Sequence, residues 1–440
     1  MEKGIFIFLA AQSPRLNVIS SRRIEGLAHY ISEYFETYVI AGIPKSLESS
    51  KIYPNYNIGS AKLIEVPSIF NKKKFTAKES TTKSSNHTSW SFEKIRKRAK
   101  SEAFPFLEMF LPVSPGGMVY HDQKKFFDEL EKIIVGNYQK RKIYIFASYG
   151  PSFILKIAKR IKKKYPCIEF VADFRDWAYK NCESSFYHSH IYKMYTKSLL
   201  KKADKVTFVS KTMLEYYKEK INLSQPVLYL SNGFDPSKIQ AVGNEAKPDT
   251  EIGDKINIAY TGSTYYKTRN PENFIECLSG YIKSSNVRVT FTYAGKDGKI
   301  IQEIVGRHNL GTSFDFRGML SHKDSLRLQQ EADILLLLVY TGEDQFIGSS
   351  MITGKFFEYL ASGRPILVIG PKTWEMKEIV ESDKVSKVIQ DGDCESIKQF
   401  LEDFSSNMRK FDLTKRSELL EMFSYKRLAE TLAEFVLGRY

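Results

Sequence analysis

The stretch that decides the fold runs from Thr353 to Leu367 and reads Thr-Gly-Lys-Phe-Phe-Glu-Tyr-Leu-Ala-Ser-Gly-Arg-Pro-Ile-Leu. Gly354 is predicted to open a helix, Glu358 lies about one turn into it, and Gly363 ends it before a buried strand. Because a helix N-terminus offers free N–H groups and the positive end of the dipole, it favours a diphosphate. A carboxylate one turn further along can accept hydrogen bonds from two sugar hydroxyls. A plain connection with a surface glutamate is the alternative interpretation.

Short apolar segments alternate with amphipathic helical patterns on both sides of this stretch, which is typical of βα units and parallel sheets. The predicted strands of the first half are Ile5–Ala10, Thr37–Ala41, Lys142–Ala147, Ile168–Ala172 and Lys205–Val209. Those of the second half are Ile256–Tyr260, Arg288–Ala294, Ser313–Phe316, Ile334–Val339, Ile366–Val368 and Lys387–Ile389. A chain of 440 residues suits two domains of about 200 residues each. With turn residues at 232–236, we expect α/β domains at 1–228 and 229–424 that face each other across a cleft.

The charge of the chain is unevenly distributed. Residues 1–220 hold 39 basic and 21 acidic side chains, a net charge of +18, whereas residues 221–440 hold 27 and 30, a net charge of −3. A basic first half predicts a polyanionic partner. We expect an anionic membrane surface and no nucleic acid, because no nucleic-acid recognition motif is present. The candidate membrane segments are the basic and aromatic residues 93–111 and the basic helix 154–164.

Cysteine spacing and hydropathy give further expectations. The four cysteines lie far apart without a C-x-x-C pattern, so we expect neither a disulfide framework nor a zinc site, as in a reducing compartment. The apolar residues 4–10 suit a buried strand better than a signal peptide, and no apolar segment reaches the roughly 20 residues of a membrane span. The chain is therefore expected to be cytoplasmic and peripherally associated with the inner face of the plasma membrane.

Several other functional motifs are absent or altered. No G-x-G-x-x-G follows a strand, which argues against a dinucleotide-binding oxidoreductase. Residues 348–356 differ from a P-loop in the spacing of their glycines, and Phe356 stands where the metal-binding Ser or Thr would be. Asp391-Gly-Asp393 imitates the metal-binding Asp-x-Asp of some transferases, but an N-cap role for Asp393 is favoured.

The segment from Lys355 to Leu367 resembles the donor-site motif of family-4 (group 1) glycosyltransferases, which have the GT-B fold of two Rossmann-like domains. Residues 259–263, Gly318 with 331–335, and 231–235 resemble further motifs of that family, in the same order. In the first half, residues 148–151 and 171–177 resemble strand-end motifs of enzymes that build bacterial capsule and O-antigen polysaccharides. The resemblance covers nearly the whole chain. It implies an acceptor-binding first domain, a donor-binding second domain, and a last helix at 425–440 that packs back on the first.

The resemblance also implies a reaction. A sugar would pass from a nucleoside diphosphate sugar, with UDP as the expected nucleotide, to a hydroxyl of a lipid-linked glycan acceptor in surface polysaccharide synthesis. The stereochemistry would be retaining, and neither a metal nor another cofactor would be required. Two alternatives stay open. One is a GT-B-fold nucleotide-sugar epimerase or hydrolase, and the other is a non-enzymatic basic protein that binds a membrane or nucleic acid.

Donor-site residues follow from the resemblance position by position. Glu358 corresponds to the second glutamate of the family's pair, which binds the nucleotide ribose, while Ser350 stands where the family has the first. Ser263 stands at the usual place of the diphosphate-binding arginine, so Lys267 and Arg269 are the nearest cationic candidates. The predicted donor-binding residues are Gly262, Ser263, Lys267, Arg269, Arg317, Ser350, Gly354, Lys355 and Glu358.

Acceptor-site candidates follow a buried strand of the first half. Asp173, Arg175 and Asp176 are predicted to be catalytic, because a parallel sheet presents functional groups at the carboxyl ends of its strands. One carboxylate would orient or deprotonate an acceptor hydroxyl, and Arg175 would fix its geometry. An ion-paired loop is the alternative.

Two departures from the family concern the first half. Ser148-Tyr149-Gly150 stands where the family has a catalytic histidine. The N-terminal loop lacks the family's glycines but retains Ser20, Ser21 and Arg22 near a helix N-terminus, and these three are predicted to face the donor.

Overall fold

The structure is a computed structural model that describes residues 3–16, 19–45, 56–71, 119–177, 186–237, 255–264, 268–342, 344–407 and 414–440. The chain divides into two compact units. The first comprises Met1–Ser231 together with Leu428–Tyr440, and the second comprises Asn232–Arg427. The last residues of the chain therefore belong to the first unit.

A seven-stranded sheet forms the centre of the first unit. Its strands are β1 (Ile5–Ala10), β2 (Glu36–Ile43), β3 (Lys62–Pro67), β6 (Ile143–Ser148), β7 (Glu169–Phe174), β8 (Lys205–Phe208) and β9 (Val227–Tyr229). All neighbours are parallel, in the order β3-β2-β1-β6-β7-β8-β9. A separate antiparallel pair consists of β4 (Phe70–Asn71) and β5 (Val119–Tyr120).

Helices pack on this sheet through apolar faces. They are α1 (Ile19–Ile31), α2 (Gln123–Asn137), α3 (Phe153–Lys164), α4 (Phe186–Leu200) and α5 (Lys211–Tyr217). In α3, Ile154, Ile157, Ala158 and Ile161 are buried, which is the spacing expected for one helix face against a core. Because both faces of the central strands are covered, β1 and β6 are buried along their whole length.

The second unit has a six-stranded parallel sheet. Its strands are β10 (Lys255–Thr261), β11 (Arg288–Ala294), β12 (Phe314–Gly318), β13 (Ile334–Leu338), β14 (Ile366–Ile369) and β15 (Lys387–Ile389). They lie in the order β12-β11-β10-β13-β14-β15, so the strand order reverses between β10 and β13. Sheets of this kind bind ligands beyond the carboxyl ends of their strands at such a reversal.

Helices connect the strands of this unit, and the predicted ends of two of them are found in the structure. They are α6 (Glu272–Ser284), α7 (Gly298–Arg307), α8 (His322–Glu331), α9 (Gln345–Ser349), α10 (Gly354–Ala361), α11 (Lys377–Val380), α12 (Cys394–Asn407), α13 (Thr414–Glu421) and, crossing back into the first unit, α14 (Tyr425–Leu437). Gly363 follows α10 with φ of +72°, which confirms its predicted role as the helix stop. Asp393 accepts a hydrogen bond from the backbone N–H of Ser396, so its predicted N-cap role is also confirmed.

A disulfide joins Cys277 in α6 to Cys394 at the start of α12, with the two Cα atoms 4.9 Å apart. The expectation that the cysteines form no disulfide was wrong for this pair. The fold brings residues 117 positions apart onto neighbouring helices, and spacing along the chain does not reveal this. Cys167 is free and exposed, while Cys182 lies outside the described residues.

Candidate functional site

Lys355 lies at the carboxyl end of β10, beside the reversal of strand order. Its Nζ is 3.5 Å from Thr261 Oγ1, and Thr261 is the last residue of the strand. Gly262 follows with φ of +126°, and a Cβ at that position would overlap Lys355 Cε and lie 2.7 Å from Nζ. Glycine is therefore required at position 262, both for the backbone conformation and for the lysine to lie there.

A second cation lies near this lysine. Burial lowers the pKa of Lys355, the Glu358 carboxylate partly offsets this, and the positive charge of Arg269 lowers the pKa further. Arg269 also contacts Met351, with Nη2 3.5 Å from Sδ. The Lys355 ammonium and the Arg269 guanidinium are close enough for each to repel the other. The Glu358 carboxylate offsets one of these two positive charges, so the site has a local excess of positive charge. Such an arrangement favours an anionic ligand.

The N-terminus of α10 adds backbone donors to this cationic site. Thr353 is the N-cap residue, but its side chain makes no capping hydrogen bond. Across the described ranges, its buried Oγ1 has no hydrogen-bond partner. In most helices with threonine at this position, the cap side chain accepts a hydrogen bond from one of the first N–H groups. In α10 the Thr353 side chain leaves these N–H groups without that bond. Together with Lys355 they can hold phosphate oxygens.

Glu358 lies one turn into α10, with its side chain 28% exposed. One carboxylate oxygen, Oε1, is 3.2 Å from His322 Nε2, and Gln329 Nε2 donates to the other, Oε2, at 3.4 Å. Burial opposes ionisation of Glu358, but the hydrogen bond from His322 and the charge of Lys355 outweigh it and lower the pKa to about 2. At neutral pH Glu358 is therefore an ionised acceptor that a hydroxyl-bearing ligand can reach.

Tyr359 fixes α10 against the sheet. Its hydroxyl accepts a hydrogen bond from the backbone N–H of Thr261 at 2.9 Å, and burial raises the pKa of this phenol. At the same end of the helix, the buried Arg416 donates to the carbonyl oxygens of Tyr359 and Leu360 at 2.7 and 3.1 Å. These contacts hold the C-terminal half of α10, the helix that carries Lys355 and Glu358.

The structure brings together five of the predicted donor-binding residues, namely Gly262, Arg269, Gly354, Lys355 and Glu358. Three of the other four, Ser350, Arg317 and Ser263, make other contacts. Ser350 is buried and donates to Ile347 O at 2.9 Å, and Arg317 forms an ion pair with Asp315 at 2.6 Å. The carbonyl of Ser263 accepts a hydrogen bond from Tyr260, while Lys267 lies outside the described residues.

Sequence reasoning missed His322, Gln329 and Thr353. The signal for the first two was the pair Ser321 and Asp324, because a serine three residues before an acidic residue marks a helix start. The hydroxyl of Ser321 does accept from the N–H of Asp324, at 3.1 Å. A helix that begins at this point places His322 and Gln329, seven residues apart, on the same face.

Asp173 does not fit its predicted catalytic role. It is completely buried and forms an ion pair with Arg23, with Nη2 2.8 Å from Oδ1. Ser148 Oγ and Thr207 Oγ1 each donate to it at 2.8 Å. Because its oxygens are occupied and inaccessible, the prediction that Asp173 contacts an acceptor is corrected to a structural role. Arg23, 150 positions away, was not foreseen as its partner.

Arg175 and Asp176 lie just beyond the end of β7. Arg175 donates to the carbonyl oxygens of Tyr149 and Gly150 at 3.1 and 2.8 Å, so it holds the loop that follows β6. Asp176 is 3.5 Å from the Arg175 guanidinium, and its side chain is 58% exposed. Of the three predicted catalytic residues, Asp176 is the one whose carboxylate is open to a ligand.

The N-terminal loop residues have partners within the first unit. Ser20 donates a hydrogen bond to the side chain of Gln12, and Arg22 lies 3.3 Å from Glu25. Ser21 is completely buried, and its Oγ has no hydrogen-bond partner among the residues that the structure describes. These contacts order the start of α1.

Most basic side chains of helix α3 also make contacts within the first unit. Five of its six basic side chains contact groups of the same unit: Lys156 the Tyr195 ring, Lys159 the Ser198 carbonyl, Arg160 the Phe127 ring, Lys162 Asp204, and Lys164 Glu131. The membrane interpretation of this helix stays a prediction, because these side chains keep their positive charge and the side chain of Lys164 is 55% exposed. The other candidate, residues 93–111, lies outside the described residues. Within the described ranges, no helix has the length and apolar character needed to cross a bilayer.

Comparison with known proteins gives one sequence relative and many structures of the same fold. No protein-family model matches the chain. A stretch of 195 residues, 43% of this chain, is 25% identical to an uncharacterized glycosyltransferase of Methanocaldococcus jannaschii. The match spans 48% of that protein, so it covers about half of the relative's length.

Among solved structures, the sucrose-phosphate synthase of Thermosynechococcus elongatus superposes with a TM-score of 0.62 at 12% identity over 99% of each chain. HepE of Anabaena, solved in complex with UDP and glucose, gives 0.60 at 12% identity over 99% of this chain and 100% of that one. WaaG, a glycosyltransferase involved in lipopolysaccharide biosynthesis, gives 0.54 at 13% identity over 99% and 100%. The chain has the GT-B fold. The predicted α/β class with two Rossmann-like parallel-sheet domains is thereby confirmed.

Proposed function

We propose that this GT-B chain is a glycosyltransferase that uses a nucleoside diphosphate sugar, with UDP as the nucleotide. The observation that carries the proposal is the pair Lys355 and Glu358 on one helix, at the reversal of strand order in the second sheet. One group is a partly buried cation and the other an ionised carboxylate, one turn apart. This spacing suits a diphosphate and a ribose of the same nucleotide.

In this proposal the diphosphate lies against Lys355, Arg269 and the N-terminus of α10. The acceptor oxygen bonds to the anomeric carbon, the bond from that carbon to the diphosphate oxygen breaks, and UDP leaves with the electron pair. The proton of the acceptor hydroxyl passes to the departing diphosphate oxygen. The two cations and the helix dipole stabilise the charge that develops on the leaving diphosphate. Lys355 thus supplies the positive charge that Ser263 does not, and the proposed reaction requires no metal.

Glu358 binds the ribose in this proposal. Its carboxylate is ionised over the whole physiological range, because its pKa is lowered to about 2 despite the cost of burial. An ionised carboxylate accepts charge-assisted hydrogen bonds, which are about twice as strong as neutral ones. Two hydroxyls on neighbouring ribose carbons can each donate to one oxygen.

We further propose that the first unit binds a lipid-linked glycan and that the product is a bacterial surface polysaccharide, as in family-4 enzymes of capsule and O-antigen synthesis. Asp176, exposed beyond β7, would orient the acceptor hydroxyl, and the sugar would be transferred with retention. The net charge of +18 on residues 1–220 supports a peripheral position on the anionic inner face of the plasma membrane. WaaG and the M. jannaschii relative are named as glycosyltransferases, and HepE was solved with UDP and glucose, which supports this proposal.

A thermal-shift screen against UDP-, GDP- and dTDP-sugars tests the donor part of the proposal. A ligand that binds the folded protein raises its melting temperature. At a ligand concentration about one hundred times Kd, the free energy of unfolding increases by about 2.7 kcal/mol. We expect UDP-sugars to stabilise the protein and the other two classes to stabilise it less. If none of them raises the melting temperature, the proposal fails. Product analysis with and without a glycan acceptor then separates a transferase from an epimerase or hydrolase.

A further inference from the structure

We propose that His322 is a positioning residue for Glu358. Its Nε2 donates a hydrogen bond to Glu358 Oε1 and so holds the carboxylate in the orientation that binds two adjacent hydroxyls. The inference rests on the proposed function, in which Glu358 binds the ribose of the donor nucleotide. Among the residues that the structure describes, the side chains that hydrogen-bond to Glu358 are His322 and Gln329, both on α8.

The two oxygens of Glu358 are held by two different side chains. His322 Nε2 lies 3.2 Å from Oε1, and Gln329 Nε2 donates to Oε2 at 3.4 Å. A carboxylate has about four acceptor positions, so each oxygen retains one for a ligand. One partner on each oxygen fixes the rotation of the carboxylate plane. The free acceptor positions then point in defined directions before a ligand binds, which reduces the entropy lost on binding.

His322 and Gln329 differ in how they are themselves held. Gln329 is completely buried and also donates to Thr261 Oγ1 at 3.0 Å, so it is anchored to the end of β10. His322 is 34% exposed at the first residue of α8 and reaches the carboxylate from the solvent side. Removing the imidazole therefore frees Oε1 without opening the core. For this reason His322 is the better residue to test.

The chemical consequence concerns the sugar of the nucleotide. A carboxylate held in one plane prefers a ribose, which offers two adjacent hydroxyls, over a 2′-deoxyribose, which offers one. If His322 sets that plane, its loss reduces the preference for UDP over 2′-deoxy-UDP. A residue that only stabilised the fold would weaken both ligands by the same factor.

The test is a double-mutant cycle measured by calorimetric titration of the full chain with UDP. The proteins are wild type, His322→Ala, Glu358→Ala and the double variant, titrated at concentrations that saturate the weakest of them. We expect His322→Ala to weaken UDP binding about tenfold, the effect of one hydrogen bond to a charged group. In the Glu358→Ala background the same change should have no further effect, because the group that His322 positions is gone.

Two variants serve as controls. His322→Gln keeps an N–H donor and should recover most of the lost affinity. Lys323→Ala alters the exposed neighbour in the same helical turn and should leave UDP binding and the UDP to 2′-deoxy-UDP ratio unchanged.

Three outcomes would contradict the proposals, and they can be told apart. If His322→Ala weakens UDP equally with and without Glu358, the role of His322 is structural and the inference is overturned. The same holds if the ratio of UDP to 2′-deoxy-UDP affinity does not change. If Glu358→Ala binds UDP as well as wild type, the assignment of Glu358 to the ribose fails first.

Discussion

Replacing Gly262 by alanine tests whether Lys355 must lie at the end of β10. Gly262 has φ of +126°, and an added Cβ would overlap Lys355 Cε and lie 2.7 Å from Nζ. Since the atoms in the way belong to a long, flexible side chain, the lysine moves rather than the strand. The substitution therefore removes Lys355 from the proposed diphosphate site without changing the lysine itself.

Two free energies follow from this geometry. The strained backbone costs about 1–3 kcal/mol of folding stability, which in a domain of this size lowers the melting temperature by about 2–4 °C per kcal/mol. Loss of a charge-assisted contact with the diphosphate costs about 1.5–3 kcal/mol of binding. UDP should therefore bind about ten- to a hundredfold more weakly.

Calorimetric titration with UDP measures the effect in Gly262→Ala, Lys355→Ala and the double variant. All three should show a similar loss, because the lysine is already displaced when alanine is present at 262. Gly280→Ala is the matched control in the same unit: its Cβ would meet no atom within 4 Å, and α6 should become slightly more stable. The reasoning is refuted if Gly262→Ala binds UDP like wild type, or if the two single losses multiply in the double variant.

Three further predictions concern other parts of the chain. Asp173→Asn should lower the free energy of unfolding by about 3–5 kcal/mol in chemical denaturation, because it leaves a buried arginine uncompensated. Asp176→Asn should instead slow sugar transfer and change the free energy of unfolding by less than about 0.5 kcal/mol. Equal losses of stability in the two variants would contradict the structural role of Asp173. Reducing the disulfide, or Cys277→Ser, should lower stability by about 2–4 kcal/mol, with no additional effect of reductant on the serine variant. Burial lowers the pKa of His121 from 6.5 to about 4. Between these pH values the unfolded chain binds a proton at His121 that the folded protein does not, so the free energy of unfolding is highest above pH 6.5 and falls as the pH is lowered towards 4. His121→Leu should flatten the fall in stability over this range by up to about 3 kcal/mol, and an unchanged pH profile would exclude this residue as its source.

Much of both sheets could be predicted from the sequence, because central parallel strands are continuous apolar segments. Ile5–Ala10 and Arg288–Ala294 are strands β1 and β11 with the predicted bounds. Strands β3 and β9 were missed. β3 lies at an edge of the sheet and only one of its six residues, Val66, is buried, so it lacks a continuous apolar pattern. β9 is the opposite edge and has three residues.

The donor site could be predicted only where its residues lie in one continuous motif. Gly354, Lys355 and Glu358 are within five positions of each other, so a single helix start predicted all three. The contacts that act on them come from distant parts of the chain, such as His322, 36 positions before Glu358. Sequence spacing carries no information on such pairs, and the same reason explains why the partner of Asp173 and the disulfide were not foreseen.

UDP binding to wild type and to Lys355→Ala and Glu358→Ala tests the central claim most directly. If α10 binds a nucleoside diphosphate, UDP raises the melting temperature of wild type, and each substitution removes most of that rise while leaving the unliganded protein folded. If UDP stabilises all three proteins equally, or stabilises none of them, the nucleotide does not bind at α10 and the proposed function is wrong.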